Sequence, residues 1–196
     1  PDHVRTPGQV IGRRSVGCEG THGVFPACDF TCTPCYHSAD ANRVRVDGPH
    51  TLAEIDSQMR HFASHRGPVA HAQLIGGEVT LLDPADHAAA IDVMWSHGRV
   101  PMSFSHGDFD EAHLHAVVFD ENGTPRHRDV SWAVHIDTTM RGRSRVPKPT
   151  SEAELHDERR RVAEMFEHLR RDHKVRTYLA HNMTVTPANL GEVADV

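Results

Sequence analysis

Apolar positions along the chain follow two spacings in alternation. Leu52, Ile55, Met59 and Phe62 recur at the three-and-four spacing of one helical face, behind Thr51-x-x-Glu54, which has the form of a capping box. Gly67-Pro68 ends that pattern. Val69 to Ile75 (VAHAQLI) predicts a buried strand running straight into Gly76-Gly77-Glu78, with His71 as a packed residue in mid-strand. Asp83-Pro84 is an N-cap followed by proline, and the helix it starts carries Ala88, Ile91 and Trp95 inward and stops near Gly98. Val100, Met102 and Phe104 alternate as a strand that ends at Ser105-His106-Gly107. A weaker helix is predicted over 108–118, and Asn122-Gly123 marks a turn.

The second half repeats the alternation. Val130, Trp132, Val134 and Ile136 form the clearest period-two run, leaving Ser131, Ala133, His135 and Asp137 on the other face. A basic, proline-bearing loop over 140–150 precedes the longest helix, which opens at Ser151-x-x-Glu154 and turns Leu155, Val162, Phe166 and Leu169 inward. A fifth strand is predicted within 175–185, and Thr186-Pro187 reads as the start of a fifth helix. Near the front, Val24 to Ala27 reads as a first short strand. Five successive strand–helix units predict a parallel sheet with outer helices, because parallel neighbours need crossovers. The chain has 196 residues, which favours a curved sheet or partial barrel over a closed eight-unit barrel of about 250.

Composition narrows the class. Apolar residues are 38% and charged residues 24%, the balance of a globular domain rather than a disordered tail. The net charge of -6 argues against a nucleic-acid partner held on a broad basic surface. No apolar run approaches the roughly 20 residues of a membrane helix, and residues 1–17 lack a signal peptide's apolar core. A cytoplasmic protein with no membrane span is the expectation. The 18 histidines are scattered and read mostly as surface residues.

The cysteines carry the chemistry. CDFTCTPCY, residues 28–36, holds Cys28, Cys32 and Cys35, three of the chain's four cysteines; Cys18 stands apart as a lone thiol. Such crowding suits metal ligation better than a disulfide framework. Two metals fit. Zinc takes three thiolates and an imidazole, with His37 as the nearest candidate, and would make the chain a structural or interaction module without redox chemistry. A cubane iron–sulfur cluster takes three thiolates on three irons and leaves the fourth iron open.

The spacing Cys-x-x-x-Cys-x-x-Cys after a first strand, followed by Gly76-Gly77-Glu78 at the end of the second, resembles the radical S-adenosylmethionine (SAM) enzyme superfamily. The resemblance covers the chain from about Val24 to its end. It implies a partial (β/α)6-type, TIM-like barrel at 24–196, with its last unit missing, behind a lead-in segment at 1–23. It also implies a [4Fe-4S] cluster on the three cysteines, with SAM chelating the open iron. Reductive cleavage of SAM would then give a 5′-deoxyadenosyl radical, which abstracts hydrogen from a substrate. Glu78, with Gly76 and Gly77, is implied to receive the methionine amino group. Polar contacts to SAM are implied at the fourth and fifth strand ends, at His135, Asp137 and Thr138, then His181, Asn182 and Thr184. Arg141 or Arg143 would meet the carboxylate, and Ser103 and Ser105 lie within reach. Pro34 stands where the family often has an aromatic residue, and Tyr36 follows the third cysteine instead. The substrate, whether small molecule, lipid or peptide, is not implied; a one-electron donor such as flavodoxin or ferredoxin is.

Overall fold

In the computed structural model, which describes residues 19–21, 24–25, 27–32, 35, 48–67, 70–137, 139–142, 152–187 and 189–194, five parallel strands form one sheet. They are β1 (Glu19–Gly20), β3 (Ala70–Leu74), β4 (Arg99–Ser105), β5 (Asp129–His135) and β7 (Arg176–Asn182), in that spatial order. A small antiparallel pair joins β2 (Phe30–Cys32) to β6 (Met140–Gly142). Helices α1 (Gly48–Arg66), α2 (Pro84–Ser96), α3 (Glu111–Val118) and α4 (Glu152–Asp172) complete the α/β fold. Strand order follows chain order throughout the large sheet, the arrangement of a partial TIM-like barrel. No helix among the described residues is long and apolar enough to cross a membrane.

Two apolar clusters join helices to sheet. Ile55 and Met59 of α1 and Ala90 and Met94 of α2 bury against Ala72 and Leu74. Trp132 and Val134 of β5 pack against Leu114 of α3 and Val162 and Phe166 of α4. Burial of such side chains contributes roughly 1.5–3 kcal/mol each. On β4 the pattern runs against the simple reading: Pro101, Ser103 and Ser105 are buried, whereas Val100, Met102 and Phe104 are only half-buried. Val100 and Met102 instead line a cavity of about 680 Å³ with His71, Ser131 and Tyr178.

A buried ion pair crosses the sheet beneath β3. Arg99 Nε lies 2.8 Å from Glu19 Oε2, and both side chains are fully buried. Their register neighbours on β3 are Ala70 and Ala72, small enough for the arginine to pass.

Several expectations are corrected. The first strand is Glu19–Gly20, not Val24 to Ala27. The carbonyls of Phe25 and Ala27 accept hydrogen bonds from Gly77 and Glu78 instead of a sheet ladder. Helix α1 begins at Gly48, so the fully buried Thr51 lies inside the helix rather than capping it. Gly48 has φ +59° and donates its N–H to Asp86 of α2 at 3.1 Å, which sets the earlier start. At Thr186-Pro187, Asn189 Oδ1 accepts from Thr186 N, and only a single 3-10 turn (Leu190–Glu192) follows among the described residues. The loop expected at 140–150 contributes β6 at its start; residues 143–150 lie outside the described residues.

Candidate functional site

The side chains of interest gather at the carboxyl ends of the strands. Glu78 follows β3, His106 follows β4, Asp137 follows β5, and His181 and Asn182 close β7. Open parallel sheets place their ligand sites at these ends.

The Gly76-Gly77-Glu78 turn is docked directly on the segment leading to the cysteines. Gly77 N donates to Phe25 O and Glu78 N to Ala27 O, both at 2.7 Å. Gly76 lies so close to Phe25 that a Cβ there would stand 2.8 Å from its ring and its carbonyl oxygen. The Glu78 carboxylate is buried, 3% exposed, and used on both oxygens. Oε1 accepts from Thr80 N at 3.0 Å and from Thr80 Oγ1 at 2.6 Å. Oε2 accepts from His106 N at 2.8 Å.

The three cysteines are thiols rather than disulfides, Cys28 and Cys32 half-buried and Cys35 exposed. Burial pushes the Cys28 thiol up to about 12, and the charges of Glu78, Asp29 and Cys32 push the same way against the Phe30 backbone bond. A thiol in such surroundings stays protonated until a cation displaces its proton. Strand β2 pairs with β6 so that Thr31 faces Arg141 and Cys32 faces Met140, bringing the Arg141 backbone beside the cysteine strand. Thr33, Pro34, Tyr36, His37, Thr138, Arg143 and Cys18 lie outside the described residues.

Sequence reasoning missed two residues here, Asp29 and His106. His106 Nε2 lies 2.7 Å from Asp29 Oδ1 and 3.4 Å from Glu78 Oε2, and its ring packs on Phe30 with centroids 4.1 Å apart. Burial works to raise the Asp29 carboxyl, but the hydrogen bond from His106, the His106 charge and a backbone hydrogen bond together outweigh it, so the group is held below its ordinary value. Ligand atoms of Cys28, Asp29 and His106 all lie within 4.8 Å of one another, a spacing that suits a metal ion. The imidazole speaks against that use. Its Nδ1 accepts a hydrogen bond from Asp108 N at 3.2 Å, so in the neutral ring Nε2 carries the proton. A metal-bound histidine needs the reverse, a free Nε2 with Nδ1–H donating. His106 therefore suits the part of a donor tying the Cys28–Asp29 segment to Glu78. The only sequence signal for it was its place at a strand end.

The remaining candidates separate into two groups. His135 Nε2 lies 2.7 Å from Asp137 Oδ2, which also accepts from Thr184 N at 2.9 Å; Asp137 Oδ1 accepts from Thr139 N at 2.7 Å. Burial works to raise the Asp137 carboxyl, but these bonds and the His135 charge bring it down to about 2. The group joins the ends of β5 and β7. His181 on β7, in register with Val134, is exposed yet lowered by partial desolvation and by Arg159. Ser103 and Ser105 are engaged elsewhere. Ser103 Oγ bonds His87 Nε2 at 2.9 Å, under α2, and Ser105 Oγ accepts from Gly107 N at 3.0 Å.

Three free thiols on one short segment, two half-buried and one exposed, are a donor set of the chemistry that ligates an iron–sulfur cluster.

No family model and no curated protein matches the chain. Among solved structures, hexahistidine-tagged anSMEcpe with bound AdoMet (S-adenosylmethionine) aligns with a TM-score of 0.58 at 14% identity, covering 90% of this chain and 44% of that one. Native anSMEcpe with bound AdoMet aligns with a TM-score of 0.52 at 12% identity, covering 87% and 52%. This chain thus spans about half the length of those proteins. The likeness is one of fold alone.

Proposed function

We propose that the chain is the core of a radical SAM enzyme, with Cys28, Cys32 and Cys35 holding a [4Fe-4S] cluster. The observation that carries this reading is the docking of Gly76-Gly77-Glu78 on the cysteine segment, through two backbone hydrogen bonds at the carboxyl edge of a parallel sheet. The matching solved structures, which have AdoMet bound, support it through their fold. Held by Cys28, Cys32 and Cys35, the cluster would supply the single electron for reductive cleavage of SAM to methionine and a 5′-deoxyadenosyl radical.

The chain's own residues orient and shield. The three thiols each lose a proton on ligation, against the pull of burial at Cys28. The Glu78–His106–Asp29 bonds hold the segment in one conformation before ligation, so less ordering remains to be done. Glu78 offers negative charge for the methionine ammonium, and Arg141 or Arg143 a partner for its carboxylate. The His135–Asp137 pair and His181 line the β5 and β7 ends for the ribose and adenine. An external one-electron donor, of the flavodoxin or ferredoxin kind, completes the electron balance. The substrate class stays open, because fold does not choose it.

A second reading is a mononuclear zinc site on the three free thiols Cys28, Cys32 and Cys35 with a histidine, in a module without redox chemistry. Anaerobic reconstitution with iron and sulfide separates the two. The enzyme reading expects about four irons per chain and, after reduction with SAM, 5′-deoxyadenosine. A colourless chain with one tightly held zinc supports the module.

A further inference from the structure

Helix α1 carries His61 and His65 on its solvent face, away from the site described above. Residues four apart on a helix lie one above the other. The two rings have centroids 4.2 Å apart and planes 33° from parallel. Histidines at this spacing are the pair with which a single helix grips zinc.

Four observations bear on ligand chemistry. Nδ1 of His65 lies 2.9 Å from the carbonyl oxygen of His61. A carbonyl only accepts, so Nδ1 carries the proton and Nε2 keeps its lone pair; such a bond orients metal-binding imidazoles. Ser64 Oγ donates to the same carbonyl at 2.8 Å and lies 2.8 Å from His65 Nδ1, steadying that corner. Among the described residues, no carboxylate bonds either ring, unlike His97, His127, His135 and His168, which each face one. Finally, the pair lies close to the C-terminus of α1, which ends at Arg66, and the helix dipole favours a cation there.

We propose that His61 and His65 form a surface site for a first-row divalent cation of the Zn²⁺, Ni²⁺ or Cu²⁺ kind, with water completing its coordination. Imidazole nitrogen suits these ions, whereas Mg²⁺ and Ca²⁺ take oxygen. Phe62 stands where a hydrolytic zinc helix carries its glutamate, so the site binds without supplying a general base. The bound ion cross-links adjacent turns just before Gly67, whose carbonyl accepts from the buried Arg99 at 2.7 Å.

The test is calorimetric titration of the full chain with Ni²⁺ under reducing, anaerobic conditions. Variants are titrated in parallel, so that thiol sites common to all cancel. The wild type should bind one more equivalent than His61→Gln or His65→Gln, the lost site weakening on the order of 10²-fold when one of two linked ligands goes. An Ala163→His/His65→Gln chain keeps the histidine count but places the added imidazole on exposed α4 surface, with no histidine three or four residues away, and should also lack the equivalent. His156→Gln, on exposed α4 surface, should keep it. Far-UV circular dichroism verifies that each variant is folded. Equal nickel binding by all chains, or retention in the Ala163→His/His65→Gln chain, overturns the proposal.

Discussion

Glu78 receives three hydrogen bonds on its two carboxylate oxygens, and two of them, one on each oxygen, come from backbone N–H groups that an amide nitrogen cannot satisfy. Glu78→Gln must present its NH₂ to Thr80 or to His106 N. The expected loss is about 1–3 kcal/mol, read as a lower denaturation midpoint in urea. An unchanged midpoint would show that the carboxylate is not bonded as described. Asp29 gives a sharper test of the cysteine segment. Asp29→Ala removes the acceptor for His106 Nε2, whereas Asp29→Asn keeps an oxygen there. The alanine variant should bind less iron on reconstitution than the asparagine variant, with both chains equally folded by circular dichroism. Equal iron in the two would remove Asp29 and His106 from the account of the site.

Among the elements, the docking of the β3 turn on the lead-in segment sets the geometry, and Gly76 is its tightest point. Gly76→Ala drives a methyl against the Phe25 ring and backbone and should cost about 1–3 kcal/mol. Gly123→Ala is a fair comparison. It has φ +73° but open space around it, so only the backbone cost of about 1 kcal/mol applies. A smaller effect at position 76 than at 123 would contradict the docked turn. Elements with several periods of pattern were legible from sequence: α2 with its Asp83-Pro84 start, β5 with its alternation, and α4 with its apolar stripe. Elements of two or three residues were not. Strand β1 has no room for a period, and β2 meets β6 across more than a hundred intervening residues. The three cysteines and Gly76-Gly77-Glu78 were legible because their chemistry lies in local spacing. The Asp29–His106 bond was not, because no local pattern announces a contact between distant loops.

For the whole molecule, buried charge and buried histidine decide how stability responds to composition and pH. Glu19→Gln leaves Arg99 buried without its counter-charge and should cost about 3–5 kcal/mol, while Glu19→Leu/Arg99→Met together should recover most of that loss. His87 is fully buried between Ser103 and His113, and burial, aided by the His113 charge, lowers it from 6.5 to about 3. The unfolded chain takes up that proton as pH falls through 6.5, and the folded chain does not. Stability therefore declines from about pH 6.5 towards 3. Asp137, at about 2 in the fold against 3.8 ordinarily, extends the decline below pH 4. Urea titrations across this range should show a shallower slope for His87→Gln than for the wild type. Parallel slopes would mean that His87 is protonated in the fold.

The central claim is that three thiols on one docked segment hold a cluster able to reduce SAM. It is tested most directly by reconstituting the chain anaerobically with iron and sulfide, counting metal, and measuring 5′-deoxyadenosine after dithionite reduction with SAM. The account predicts about four irons per wild-type chain, turnover of SAM to 5′-deoxyadenosine, and loss of both in Cys28→Ala. A chain that takes up no iron but retains one zinc, lost when Cys28 is replaced, would contradict it.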